Sequence, residues 1–102
     1  MSIENTQKIT RITFEQKVQA YCPMGGDFYT ADVRVVMVPD KEIMDYCETD
    51  KFIKSLGGKS LIIEDLVNEV FENIKQYKPK YLKVSASAES NVHFPVIVTK
   101  EE

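Results

Sequence analysis

A thiol and a carboxylate stand at either end of one short segment of this chain, Cys22-Pro23-Met24-Gly25-Gly26-Asp27. Sulfur attacks as the thiolate, and an ordinary thiol has a pKa of roughly 8.5, so a nucleophilic cysteine needs a neighbour that carries its proton. Asp27 is such a neighbour for Cys22. Both residues also have plainer uses, since free cysteine is often a small buried hydrophobe and aspartate stabilises turns. Another carboxylate, Glu64, opens the longest helical pattern, where negative charge suits the helix dipole. It precedes Phe71 by two helical turns and shares its flank, which borders the apolar stripe. From there a carboxylate can accept hydrogen bonds from the N–H edge of a purine or pterin ring. His93 is the single histidine. It lies on the parity opposite Phe94, where a solvated or interface side chain is expected, and no motif gives it a role. With one histidine and two cysteines, Cys22 and Cys47, no cluster has zinc-ligand spacing.

The elements that must position these groups follow from the apolar periodicity. Ile12, Phe14, Val18 and Ala20 alternate with Thr13, Glu15, Lys17 and Gln19, a period of two that predicts a strand, with Gln16 as its one break. The Pro and Gly residues of 22–27 predict a loop. Tyr29, Ala31, Val33, Val35 and Met37 predict a second strand that stops at Val38-Pro39-Asp40 and pairs with the first as a hairpin. Lys41 to Tyr46 and Asp50 to Leu56 suit short helices or one broken helix, ended by Gly57-Gly58. Ser60 is a plausible N-cap for a longer helix, in which Ile63, Leu66, Val67, Val70, Ile74 and Tyr77 recur at helical spacing. That helix runs to about Lys78, before Pro79. Leu82, Val84, Ala86 and Ala88 predict a third strand, Glu89-Ser90-Asn91 a turn, and Val92, Phe94, Val96 and Val98 a fourth strand. Pro95 cannot donate to a ladder, so the fourth strand is expected at an edge or with a bulge. The fold class is therefore α+β, a ββααββ antiparallel sheet with helices on one face.

A chain of 102 residues is one domain in size, here 1–102 with an ordered core of about 8–99 and fraying ends. It can bury a core but not also a deep enclosed pocket, so a small-molecule site is expected to need a second subunit. The free sheet edges point the same way, toward a homo-oligomer. The net charge of −3 gives no global pull toward nucleic acid. The first residues lack the basic-then-apolar order of a signal peptide. No apolar run approaches the roughly 20 residues of a membrane span. A cytoplasmic location and two free thiols are the expectation.

Taken together, these residues resemble the QueF-type nitrile reductases. The resemblance rests on Cys22-Pro23 followed by Asp27, on Val38-Pro39-Asp40, and on Ile63-Glu64-Asp65 with Asn68, and it covers roughly residues 12–98. It implies the tunnelling fold, whose ββααββ units assemble into barrels with active sites between subunits. It also implies a reaction. The cysteine attacks the nitrile of 7-cyano-7-deazaguanine to form a thioimide, the aspartate handles protons, and the glutamate anchors the deazapurine ring. Those roles fall on Cys22, Asp27 and Glu64.

The sequence departs from that pattern in three places. The Cys-to-Asp loop is about two residues shorter than in the reductases. Ile63 stands where the family has histidine. The reductases carry Glu-x-Lys-x-x-Lys for the phosphates of NADPH, whereas Asp45-Tyr46-Cys47-Glu48-Thr49-Asp50 has no lysine, and its carboxylates would repel a phosphate. The chain thus looks closer to the non-reducing QueF-like amidinotransferases, which keep the thioimide and use ammonia on a base already in tRNA. The resemblance leaves a free deazapurine, a related heterocycle and tRNA as partners, and a true reductase or a non-catalytic purine- or pterin-binding protein as alternatives.

Overall fold

The two-residue alternation decides the main sheet. The computed structural model describes residues 2–89 and 93–102. Ser2–Glu4 forms β1, Ile12–Cys22 β2, Asp27–Val38 β3 and Glu42–Met44 β4. Tyr46–Ser55 is α1, Ile63–Lys75 α2, Tyr81–Ala88 β5 and Val96–Glu101 β6. The four long strands lie in the order β2-β3-β5-β6, every neighbouring pair antiparallel. One parity of each strand faces the helices. Val18, Ala20, Ala31, Val33, Val35, Met37, Leu82, Val84 and Ala86 are all buried there. Against them α2 lays Leu66, Val67, Val70, Phe71 and Ile74. Burying large apolar side chains of this kind is worth about 1.5–3 kcal/mol each, which makes the stripe on α2 the chief fastening of the helix to the sheet. Gln16 causes no break: β2 runs unbroken in register through Gln16↔Val33.

Several local expectations are corrected. Lys41 to Tyr46 is not helical, because Glu42–Met44 pairs with Ser2–Glu4 in a small second sheet. The N-terminal residues, expected to fray, supply that partner strand. Asn5 then holds the join, donating from Nδ2 to the carbonyl of Asp40 at 3.1 Å. Helix α1 begins only where Asp45 caps it, its carboxylate accepting from Glu48 N at 3.1 Å. The longer helix ends at Lys75, and Lys78 takes a left-handed φ of 53° just before Pro79. The last strand starts at Val96, immediately after Pro95, which has no N–H for the ladder, so Phe94 lies outside it. It is an edge strand, as expected. It extends to Glu101, and Glu102 still exchanges backbone hydrogen bonds with Leu82. The expected turn at Glu89-Ser90-Asn91 and the Val92 end of the strand fall outside the described residues. No helix among the described residues is long and apolar enough to cross a membrane.

Candidate active site

The hairpin register brings the thiol and the carboxylate together. Cys22 is the last residue of β2, Asp27 the first of β3, and the two are cross-strand partners on the final rung. Directly opposed residues project to the same face with Cβ atoms about 4.5–5.5 Å apart. That face is the helix-facing one, since Cys22 shares parity with Ala20, and Asp27 with Tyr29 and Ala31. The turn is closed by Gly26 N donating to Cys22 O at 2.9 Å, with Gly26 at a φ of +70° that L side chains rarely adopt. Gly25 N donates to Cys22 Sγ at 3.4 Å. One oxygen of Asp27 accepts from Phe28 N at 2.8 Å.

Glu64 is placed by a different device from the one the sequence suggested. Ser60 does not cap α2; the cap is Ile62, with no side-chain hydrogen bond. Ser60 instead bridges Tyr21 in a short parallel pairing along the edge of β2. Gly58 N donates to Gln19 O, Tyr21 N to Lys59 O, and Leu61 N to Tyr21 O, at 2.8, 2.9 and 2.9 Å. Tyr29 adds a side-chain tether, its hydroxyl donating to Leu61 O at 2.6 Å. The start of α2 is thereby held at the Cys22 end of the sheet. Burial pushes the Tyr29 pKa up to about 12, and Cys22, Glu64 and Asp65 add to the rise in that order. The hydroxyl therefore stays a donor at neutral pH, with these three groups close around it.

Cys22, Asp27, Tyr29 and Glu64 line one open cavity of about 500 Å³. Ile63, Ala88 and Val96 complete its half-buried wall, Met24, Gly25 and Phe28 its exposed rim. The β5–β6 side contributes Glu89 and His93. The sequence-derived trio is thus brought together, and His93, to which no role was assigned, joins it. Tyr29 and the Gly25 amide were missed. The parity of Tyr29 with Asp27 was the available signal, whereas nothing in a glycine pair announces an N–H aimed at sulfur. Cys47 is exposed, on α1 and away from this wall, and both cysteines are free thiols. A larger hollow, about 590 Å³, lies between the outer part of β2 and α1. It holds neither cysteine nor histidine, and two of its charged side chains, Asp50 and Lys54, pair with each other at 2.8 Å. Chemistry, not size, therefore favours the smaller cavity. Among the described residues no group of three His, Cys, Asp or Glu is placed to hold a metal ion.

No protein-family model matches the chain, and no curated protein matches it in sequence. Solved structures do match. The apo form of an archaeosine synthase QueF-Like superposes with a TM-score of 0.84 at 21% identity, covering 92% of this chain and 94% of that one. A putative dihydroneopterin aldolase (FolB) from Vibrio cholerae O1 biovar El Tor str. N16961 superposes with a TM-score of 0.70 at 16% identity, covering 90% and 95%. At such identities the likeness speaks for the fold. The chain has the tunnelling fold, a mixed α+β architecture that it shares with both.

Proposed function

We propose that this chain is an enzyme of modified-base chemistry that captures the nitrile carbon of 7-cyano-7-deazaguanine as a thioimide on Cys22. The observation that carries the reading is the pairing of Cys22 with Asp27 on one rung, with Glu64 on the wall of the same cavity. The sulfur adds to the nitrile carbon, and the C≡N bond becomes C=N. The thiol proton passes by way of Asp27 to the nitrile nitrogen, so the adduct contains every atom of both reactants. The Gly25 N–H holds the sulfur in place beforehand. Glu64 accepts from the N–H groups on the polar edge of the ring.

An amine, with ammonia the simplest, then displaces the sulfur and leaves an amidine. Reduction by NADPH is the disfavoured route, because the residues that would meet its phosphates do not fit. Asp45 is engaged as the cap of α1 and Asp50 with Lys54, and no basic side chain replaces either in that turn. The cavity wall carries Asp27, Glu64 and Glu89 with no Lys or Arg, which favours the free base over a base within tRNA. A homo-oligomer that closes the open side of the cavity belongs to this reading.

Intact-mass measurement with 7-cyano-7-deazaguanine tests it. A gain of one whole substrate mass, mapped to Cys22 and absent in Cys22→Ala, is expected. The likeness to the aldolase favours one other reading, a heterocycle-binding site with pterin chemistry and an unmodified Cys22. Binding without a mass gain, or a label on Cys47, supports that reading against the thioimide.

A further inference from the structure

The thioimide reading leaves one proton without a carrier. When an amine attacks the thioimide carbon, a C–N bond forms and the new nitrogen bears a positive charge. That nitrogen must lose a proton before the C–S bond breaks, or the amine simply leaves again. The sulfur, which departs with the C–S electron pair, must regain a proton. No oxidation or reduction occurs, so the step needs only a group that takes a proton and gives it back.

The cavity holds few candidates. Asp27 is engaged with the nitrile-derived nitrogen, and Glu64 with the ring edge. Tyr29 keeps its proton, with its pKa pushed up to about 12, and its hydroxyl is committed to Leu61 O. On the β5–β6 side stand Glu89 and His93. Of these, an imidazole is the side chain suited to both accept and donate near neutral pH. Its orientation is fixed by the backbone. His93 Nδ1 lies 2.6 Å from the carbonyl oxygen of Phe94. A carbonyl only accepts, so in that contact Nδ1 is the donor and the lone pair of the neutral ring lies on Nε2. The carboxylates of the same wall attract the positive charge the ring gains.

We infer that His93 is a second proton-transfer residue of this site: Nε2 takes the proton from the attacking amine and returns it to the departing Cys22 sulfur. The inference rests on the thioimide reading and adds the resolving half-reaction to it.

The experiment separates the two. The adduct is formed on the full-length protein with 7-cyano-7-deazaguanine, an ammonium salt is added, and intact mass follows the return to unmodified protein. Wild type is expected to form the adduct and clear it. His93→Gln is expected to form the adduct at a rate near wild type but to clear it about 100-fold more slowly, the lower range for a lost acid–base group. Added imidazole should restore clearance in His93→Ala, which a merely structural role would not allow. Clearance by His93→Gln at the wild-type rate overturns the inference and leaves the thioimide standing. So does slow clearance in Glu89→Gln alone. A wild type that forms no adduct overturns both.

Discussion

Replacing Asp27 by Asn removes the proton carrier while keeping the shape. The hairpin should survive, because an amide oxygen can still accept from Phe28 N, now at 2.8 Å, and the Cys22↔27 rung is held by backbone. Asp27 is exposed, and a surface change of this kind usually moves stability by no more than about 0.5 kcal/mol. The chemical loss is larger. With Cβ atoms about 5 Å apart across the rung, the nitrile nitrogen bridges sulfur and carboxylate in one step. A positioned acid–base group contributes about 10²–10⁴ in rate, or roughly 3–5 kcal/mol of barrier at 1.36 kcal/mol per decade. Quenched-flow intact mass under saturating 7-cyano-7-deazaguanine measures that rate, and equilibrium titration measures affinity alongside it. The expected result is adduct formation slowed at least about 100-fold with affinity within about threefold of wild type. Adduct formation within about threefold of wild type would refute the relay. A matching loss of affinity would move Asp27 from proton transfer to ring binding.

Four further outcomes test the rest of the site. Glu64→Ala should weaken ligand binding by about 1.5–3 kcal/mol, the worth of hydrogen bonds to a charged group, and slow the adduct step less at saturation; titration calorimetry reads the first quantity and mass the second. Tyr29→Phe should lower stability by about 1 kcal/mol, leaving Leu61 O without its donor, as read by denaturant unfolding. The Tyr29 pKa of about 12 lies above its ordinary value of 10, so folding holds the proton more tightly. That stabilisation is fully present below pH 10 and is lost as pH rises toward 12, and Tyr29→Phe should flatten that decline; an unchanged slope would deny Tyr29 the role. Light scattering at micromolar concentration should show an oligomer, because β6 and the part of β2 before Gln19 are edges of an open sheet; a stable monomer counts against a site shared between subunits.

The expectations that failed share one cause. Lys41 to Tyr46 looks helical by itself, but Glu42–Met44 finds a strand partner almost forty residues earlier, in Ser2–Glu4. No window of sequence shows that pairing. Ser60 has the chemistry of a cap and the spacing nearly allows it. The edge of β2 takes its backbone instead, and α2 starts at Ile63. Pro95 gave the clearer signal of the two ends of β6: a residue without an N–H starts no ladder, and Val96 follows it.

Periodicity by itself determined the four long strands, the apolar stripe of α2 and the hairpin, because a strand must alternate and a helix must repeat every 3.6 residues to bury one face. It also showed that Cys22 and Asp27 flank one short turn, although both belong to the strands and not to the expected loop, and that Glu64 opens a helix. Only the tertiary structure decided that these belong to one cavity. The register made Cys22 and Asp27 a rung, and one residue of slip would have turned either to the opposite face. The pairing of 58–61 with β2 and the Tyr29 tether carried Glu64 to the same end of the sheet. The antiparallel pairing of β6 with β5 set His93, just before β6, on the same cavity. Composition and spacing describe what each side chain can do, but distance between elements is set by long-range pairing, which is a property of the whole chain.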